Sequence, residues 1–111
     1  LAKNLRLTDT VVIANGGTVS TTLTLENSRV PLAILIPAAM TSTAMTFKAS
    51  NDNVTFYPIY YESTSYSVTV PTGAVRMIAL NRLAFEGVKY FQVVGGSAEG
   101  AARTIGVISG E

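Results

Sequence analysis

The side chains of this chain best suited to proton transfer or to a hard cation are seven carboxylates: Asp9, Glu26, Asp52, Glu62, Glu86, Glu99 and Glu111. General acid and base work needs two groups of matched pKa converging on one bond. Nearly all seven fall in predicted turns, and a glycosidase-like pairing such as Asp52 with Glu62 has no partner signature around it. Solvated turn acids explain them better. Histidine, cysteine and tryptophan are absent, which removes imidazole bases, thiol nucleophiles, disulfides and the usual zinc and copper ligand sets. No Gly-x-Ser-x-Gly, Walker-type loop or zincin helix occurs. The chain reads as a non-enzyme with no cofactor. Asn51-Asp52-Asn53 offers oxygen atoms of the kind calcium takes, but a calcium cage wants more carboxylates than this segment holds.

A binding chemistry is easier to build. Phe56, Tyr57, Tyr60 and Tyr61 follow that polar turn directly, and flat rings stack on sugar faces while amides and acids bond the hydroxyls. Asn51, Asp52, Asn53, Tyr57 and Tyr61 are therefore candidates for a shallow glycan site. A period-two reading through Pro58 sends about half of the four rings to the core, closing one end of the fold, and the others to an edge or interface.

Strands must position these residues. Met45, Phe47 and Ala49 alternate with Thr46, Lys48 and Ser50 before the turn, and the aromatic segment returns after it. Upstream, Thr10 to Ala14 and Thr18 to Leu25 flank Asn15-Gly16-Gly17 and read as a hairpin. The apolar run Leu32 to Ile36, bounded by prolines, suits a central strand covered on both sides. Ser65 to Val70 and Val75 to Leu80 read as a second hairpin around Pro71-Thr72-Gly73. Asn81 to Gly87 fits a short helical turn, with Asn81 as N-cap and Leu83 and Phe85 inward. Lys89 to Val94 and Thr104 to Ser109 complete eight or nine short strands. The expectation is an all-β, antiparallel sandwich of jelly-roll type, with residues 1–9 as an N-terminal arm or edge strand and 10–111 as a single domain.

The surface implied by composition is unusual. Charged residues are 14 % of 111, with eight basic against seven acidic, whereas an average chain carries about 25 %. Lys3, Arg6, Arg29, Lys48, Arg76, Arg82, Lys89 and Arg103 are scattered, so nucleic acid is not the expected partner. No segment approaches the ~20 apolar residues that cross a bilayer, and Leu1 to Arg6 lacks a signal core. A product made and used in the cytoplasm is the simplest expectation. Thr- and Ser-rich faces of low charge suit contact with protein, with Leu1, Lys3, Leu5 and Arg6 of the arm as candidate contact residues beside the turn and its tyrosines.

The order of Phe47-Lys-Ala-Ser-Asn-Asp-Asn-Val-Thr-Phe-Tyr57, Gly87-Val-Lys-Tyr-Phe-Gln-Val-Val94 and Thr104-Ile-Gly-Val-Ile108 resembles discoidin-like jelly rolls. Asn53 stands where those proteins place glycine and Phe56 where they place tryptophan, so their ligand loops do not carry over. With Ile13-Ala-Asn-Gly-Gly-Thr-Val19 and Leu35-Ile-Pro-Ala-Ala-Met-Thr41 added, the whole chain resembles the capsid decoration, or staple, proteins of epsilon-fifteen-like short-tailed phages. That resemblance implies a homodimer on the outer surface of a virion, made in the host cytoplasm. It would clamp neighbouring major capsid proteins against DNA pressure without catalysis. A carbohydrate-binding module for a cell-surface glycan is the rival reading.

Overall fold

The computed structural model describes residues 6–26 and 29–110. Among them, eleven strand segments follow one another: β1 (Leu7–Ile13), β2 (Leu23–Thr24), β3 (Val30–Ile36), β4 (Ala44–Ser50), β5 (Tyr57–Pro58), β6 (Tyr60–Tyr61), β7 (Thr64–Ser65), β8 (Ser67–Thr69), β9 (Arg76–Ala79), β10 (Tyr90–Gly95) and β11 (Arg103–Gly110). One sheet has the order β1-β11-β3-β9, and the second has β2-β10-β4, with β5 and β8 sharing the far side of β4. Every ladder is antiparallel. With the short β5, β6 and β7 set aside, eight strands remain, four to a sheet, in the crossing pattern of a jelly roll. The all-β sandwich expected from period-two patterning is the fold observed.

Both expected hairpins instead carry the chain from one sheet to the other. β1 pairs with β11 and β2 with β10, and β1 meets the segment after Gly17 through the isolated bridge Ile13–Ser20, a 2.9 Å bond from Thr21 N to Val12 O and a 3.0 Å bond from Val12 N to Thr21 Oγ1. The cause is local. Ser20 N donates to Val93 O at 2.8 Å and Val93 N to Ser20 Oγ at 2.9 Å, so the backbone leaving the turn is satisfied by β10. Likewise β8 pairs with β4 while β9 pairs with β3, and Gly73, at φ 95°, donates to Ala38 O rather than closing a ladder. The helical turn is a four-residue 3-10 turn, Arg82–Phe85, with Asn81 Oδ1 accepting from Leu83 N at 3.1 Å. Phe85 is buried but Leu83 is 63 % exposed, because at three residues per turn positions two apart cannot share a face.

The core lies between the sheets. Val11, Ile13, Ile34, Ile36, Ile105 and Val107 of the first sheet face Met45, Phe47, Phe91 and Val93 of the second. Phe47 stacks on Phe91 with centroids 5.6 Å apart and meets Phe85 edge-on at 5.3 Å, and Tyr66 closes on Phe85 at 5.3 Å. β3 is central, between β11 and β9, but its other face is only half covered at Leu35. At the start of the chain, Leu7, Thr8 and Asp9 pair with Ser109, Ile108 and Val107. Arg6 is exposed, and the candidate contacts Leu1, Lys3 and Leu5 lie outside the described residues.

Candidate functional site

Two surfaces stand out, and the first is built on the polar turn. Asp52 Oδ1 accepts from Ser50 Oγ at 2.8 Å, Val54 N at 2.9 Å and Thr55 N at 3.0 Å, while Ser50 Oγ accepts from Asp52 N and Asn53 N. The turn is thus wound around one carboxylate and one hydroxyl, which is why Asp and Ser occupy these positions. The backbone amides of Thr55 and Val54 and the Ser50 hydroxyl hold the Asp52 carboxyl down at about 2, so it is ionised throughout the physiological range. Asn53 takes φ 61°, a left-handed value asparagine tolerates.

Beyond the turn, β5 pairs with β4 through Ala49–Tyr57 and Lys48–Pro58, and Ile59 N donates to Phe47 O. Tyr57 therefore shares the core-facing side of β4 with Ala49, and Ile59 shares it with Phe47. Ile59 is buried, yet Tyr57, one step further along, is 65 % exposed because the opposite sheet no longer covers it. The result is a cleft of about 430 Å³ with Asn51, Asp52, Tyr57 and Pro58 on one side and Glu86, Gly87 and Val88 on the other. No residue lining it is basic. Glu86 lies 3.3 Å from Arg82 across a half-exposed ion pair.

The structure thus brings Asn51, Asp52 and Tyr57 together and leaves Asn53 and Tyr61 outside the cleft lining. Tyr61 belongs to the separate β6-β7 ribbon, paired with Thr64. None of the rings Phe56, Tyr57, Tyr60 and Tyr61 is buried, contrary to the expected half. Pro58 limits β5 to two residues, and only Ile59 from this segment reaches the core. Glu86 escaped the sequence reading because a solvated turn acid gives no local sign of what it faces.

The second surface is the outer face of the first sheet. Alternation against buried Val11, Ile34, Ile105 and Val107 places Thr10, Gly106, Leu35 and Met77 in one row across all four strands, and Thr8, Ile108, Ala33 and Ala79 in the next. None of these eight carries a charge. Leu35 lies over Gly106, where a Cβ would come within 3.1 Å of it, and Met77 is 62 % exposed. A shallow groove of about 260 Å³ runs between Thr8, Thr10, Leu35, Val75 and Thr104.

Among the described residues, Glu99 is the one buried carboxylate. It is 1 % exposed and accepts from Thr41 N at 2.8 Å, Ser42 N at 3.0 Å, Ser42 Oγ at 2.6 Å and Arg103 Nε at 3.0 Å. Burial pushes its carboxyl up, but the Ser42 hydroxyl, the Thr41 amide, Arg103 and the Ser42 amide together outweigh that and hold it at about 2. A group so fully engaged by the fold is structural. Among the described residues, no group of three or more acids gathers in a way that could hold a metal ion.

No protein-family model and no curated protein matches the chain. Among solved structures, the SPBc2 prophage-derived protein YomS is similar over 100 % of this chain and 99 % of its own, with a TM-score of 0.54 at 12 % identity. That likeness establishes a shared fold. A protein of Bacillus endospore appendages (TM-score 0.42, 15 % identity, 97 % and 88 % covered) and a chitosan-binding module from a Paenibacillus chitosanase/glucanase (0.39, 16 %, 95 % and 74 %) are more distant. At those scores neither carries an argument.

Proposed function

We propose that this is a non-enzymatic accessory protein of a phage virion, seated on the major capsid protein through the uncharged outer face of the β1-β11-β3-β9 sheet. The observation that carries the reading is that face itself. Two rows of Thr, Gly, Leu, Met, Ile and Ala run across four strands without a charged side chain, where a solvent-facing sheet normally alternates to polar and charged residues. Burying such a face costs little desolvation, and many copies on one shell need only modest affinity each. The end-to-end fold likeness to a prophage-derived protein and the sequence resemblance to phage decoration proteins support the same reading. Residues 1–6 add a second contact, and the copies act as dimers bridging capsid subunits.

Co-sedimentation with purified shells tests it. Wild-type protein pellets with shells in a fixed ratio to the major capsid protein, and binding barely changes between about 50 mM and about 500 mM salt because few charges meet. Leu35→Lys or Met77→Lys, at half-buried and exposed positions, leaves the protein folded by circular dichroism and in the supernatant. A truncation of residues 1–6 stops short of β1, so it weakens attachment without unfolding the chain. Undiminished pelleting of both lysine variants would remove this face from the reading.

A further inference from the structure

We propose that the cleft beside Tyr57 is a binding site for a pyranose carrying no negative charge. This is independent of the virion reading, since the cleft and the outer face of the first sheet share no lining residue. Three observations converge. The first is the ring: by register Tyr57 occupies a core-facing position, yet it is 65 % exposed with no strand opposite to cover it. A flat apolar surface left open in the wall of a concavity gives the C–H face of a sugar ring a platform. Pro58 extends it, and Gly87, at φ 85°, lines the opposite side without a side chain to fill the space.

The second is the disposition of acceptors. Asp52 Oδ1 is used by the turn, which fixes the carboxylate in place and leaves its anionic charge on the cleft wall beside the exposed amide of Asn51. Glu86 stands on the opposite wall. Sugar hydroxyls donate to such oxygens, and a turn already locked loses little freedom when they do. The third is charge. Both carboxylates of the lining, Asp52 and Glu86, stand among residues none of which is basic, and the neighbouring Arg82 is already engaged by Glu86, so a sialic acid, uronate or phosphate meets the Asp52 charge with no cation in the lining to offset it. Neutral and aminated pyranoses share the accepted chemistry. A volume of about 430 Å³ is sized for one or two rings.

The experiment is an array of the full chain against neutral, aminated and sialylated or uronate glycans, followed by titration calorimetry with the best soluble oligosaccharide. Binding to the neutral or aminated arm, with little on the acidic arm, is expected. Tyr57→Ala should weaken it about tenfold or more while leaving the melting temperature unchanged. Tyr61→Ala, outside the lining, should leave it intact. Asp52→Asn keeps the Oδ1 acceptor that winds the turn and removes the charge, and should weaken the aminated arm most. Absence of signal in every arm, preference for acidic glycans, survival of binding in Tyr57→Ala, or equal loss in Tyr61→Ala would each overturn the proposal. Capsid co-sedimentation does not bear on any of these outcomes, so the two readings fail separately.

Discussion

A carboxylate sealed from water ordinarily holds its proton, and Glu99 gives its proton up more readily than a free one because four donors converge on it. Its folded value of about 2 lies below the ordinary 4.5. The ionised form therefore stabilises the fold fully above about pH 4.5, and that stabilisation is lost as pH falls towards about 2. The gap of 4.5 minus 2, at about 1.4 kcal/mol per unit, corresponds to roughly 3 kcal/mol. Glu99→Gln should lose about that much at neutral pH in urea denaturation, and the difference from wild type should shrink as pH drops through the same window. The surroundings leave little room for relief: a Cβ on Gly95 would lie 2.4 Å from Ser42 Oγ, the hydroxyl that holds Glu99. None of this was legible locally, because Glu99 follows Gly95-Gly96-Ser97-Ala98 in a loop and its partners Thr41 and Ser42 lie 58 and 57 positions away. The polar turn was legible, since Asp52 and Ser50 bond within three residues of themselves.

At the scale of elements, period-two alternation located most strands, because a half-buried strand must put its apolar residues on one side. Met45, Phe47 and Ala49 face the core as their spacing requires. Of the strand partners, the return of β5 onto β4 across the polar turn was legible, and those of the two expected hairpins were not. Asn15-Gly16-Gly17 and Pro71-Thr72-Gly73 have the composition of hairpin turns, yet both deliver the chain to the opposite sheet, and what decides this is a backbone acceptor far away in sequence, such as Val93 O for Ser20. The 3-10 turn shows how much a short element can carry when it holds one ring. Phe85 contacts Phe47, Tyr66 and Phe91 at centroid distances of 5.3 to 5.6 Å. Phe85→Ala should cost about 3–5 kcal/mol, whereas Leu83→Ala, exposed on the same turn, should stay within about 0.5 kcal/mol. Thermal denaturation of the two variants side by side checks the contrast.

Across the whole molecule, the two last strands are both inner strands. β10 lies between β2 and β4, and β11 between β1 and β3. Without them β1 and β2 lose their ladders, while β3–β9 and β4 with β5 and β8 remain as narrow fragments. Residues 1–88 alone should therefore show no cooperative unfolding transition, and adding a peptide of residues 89–111 should restore one in calorimetry.

The same arrangement means that a ribosome delivers residues 1–88 before either sheet has the strand that joins its two parts. Until then two vacant slots, each bordered by bare strand edges, wait for segments that can be supplied only in one register. Split at Val88 and carried on two separate genes, the halves would behave as a molecular latch: inert apart, and structured only where they meet.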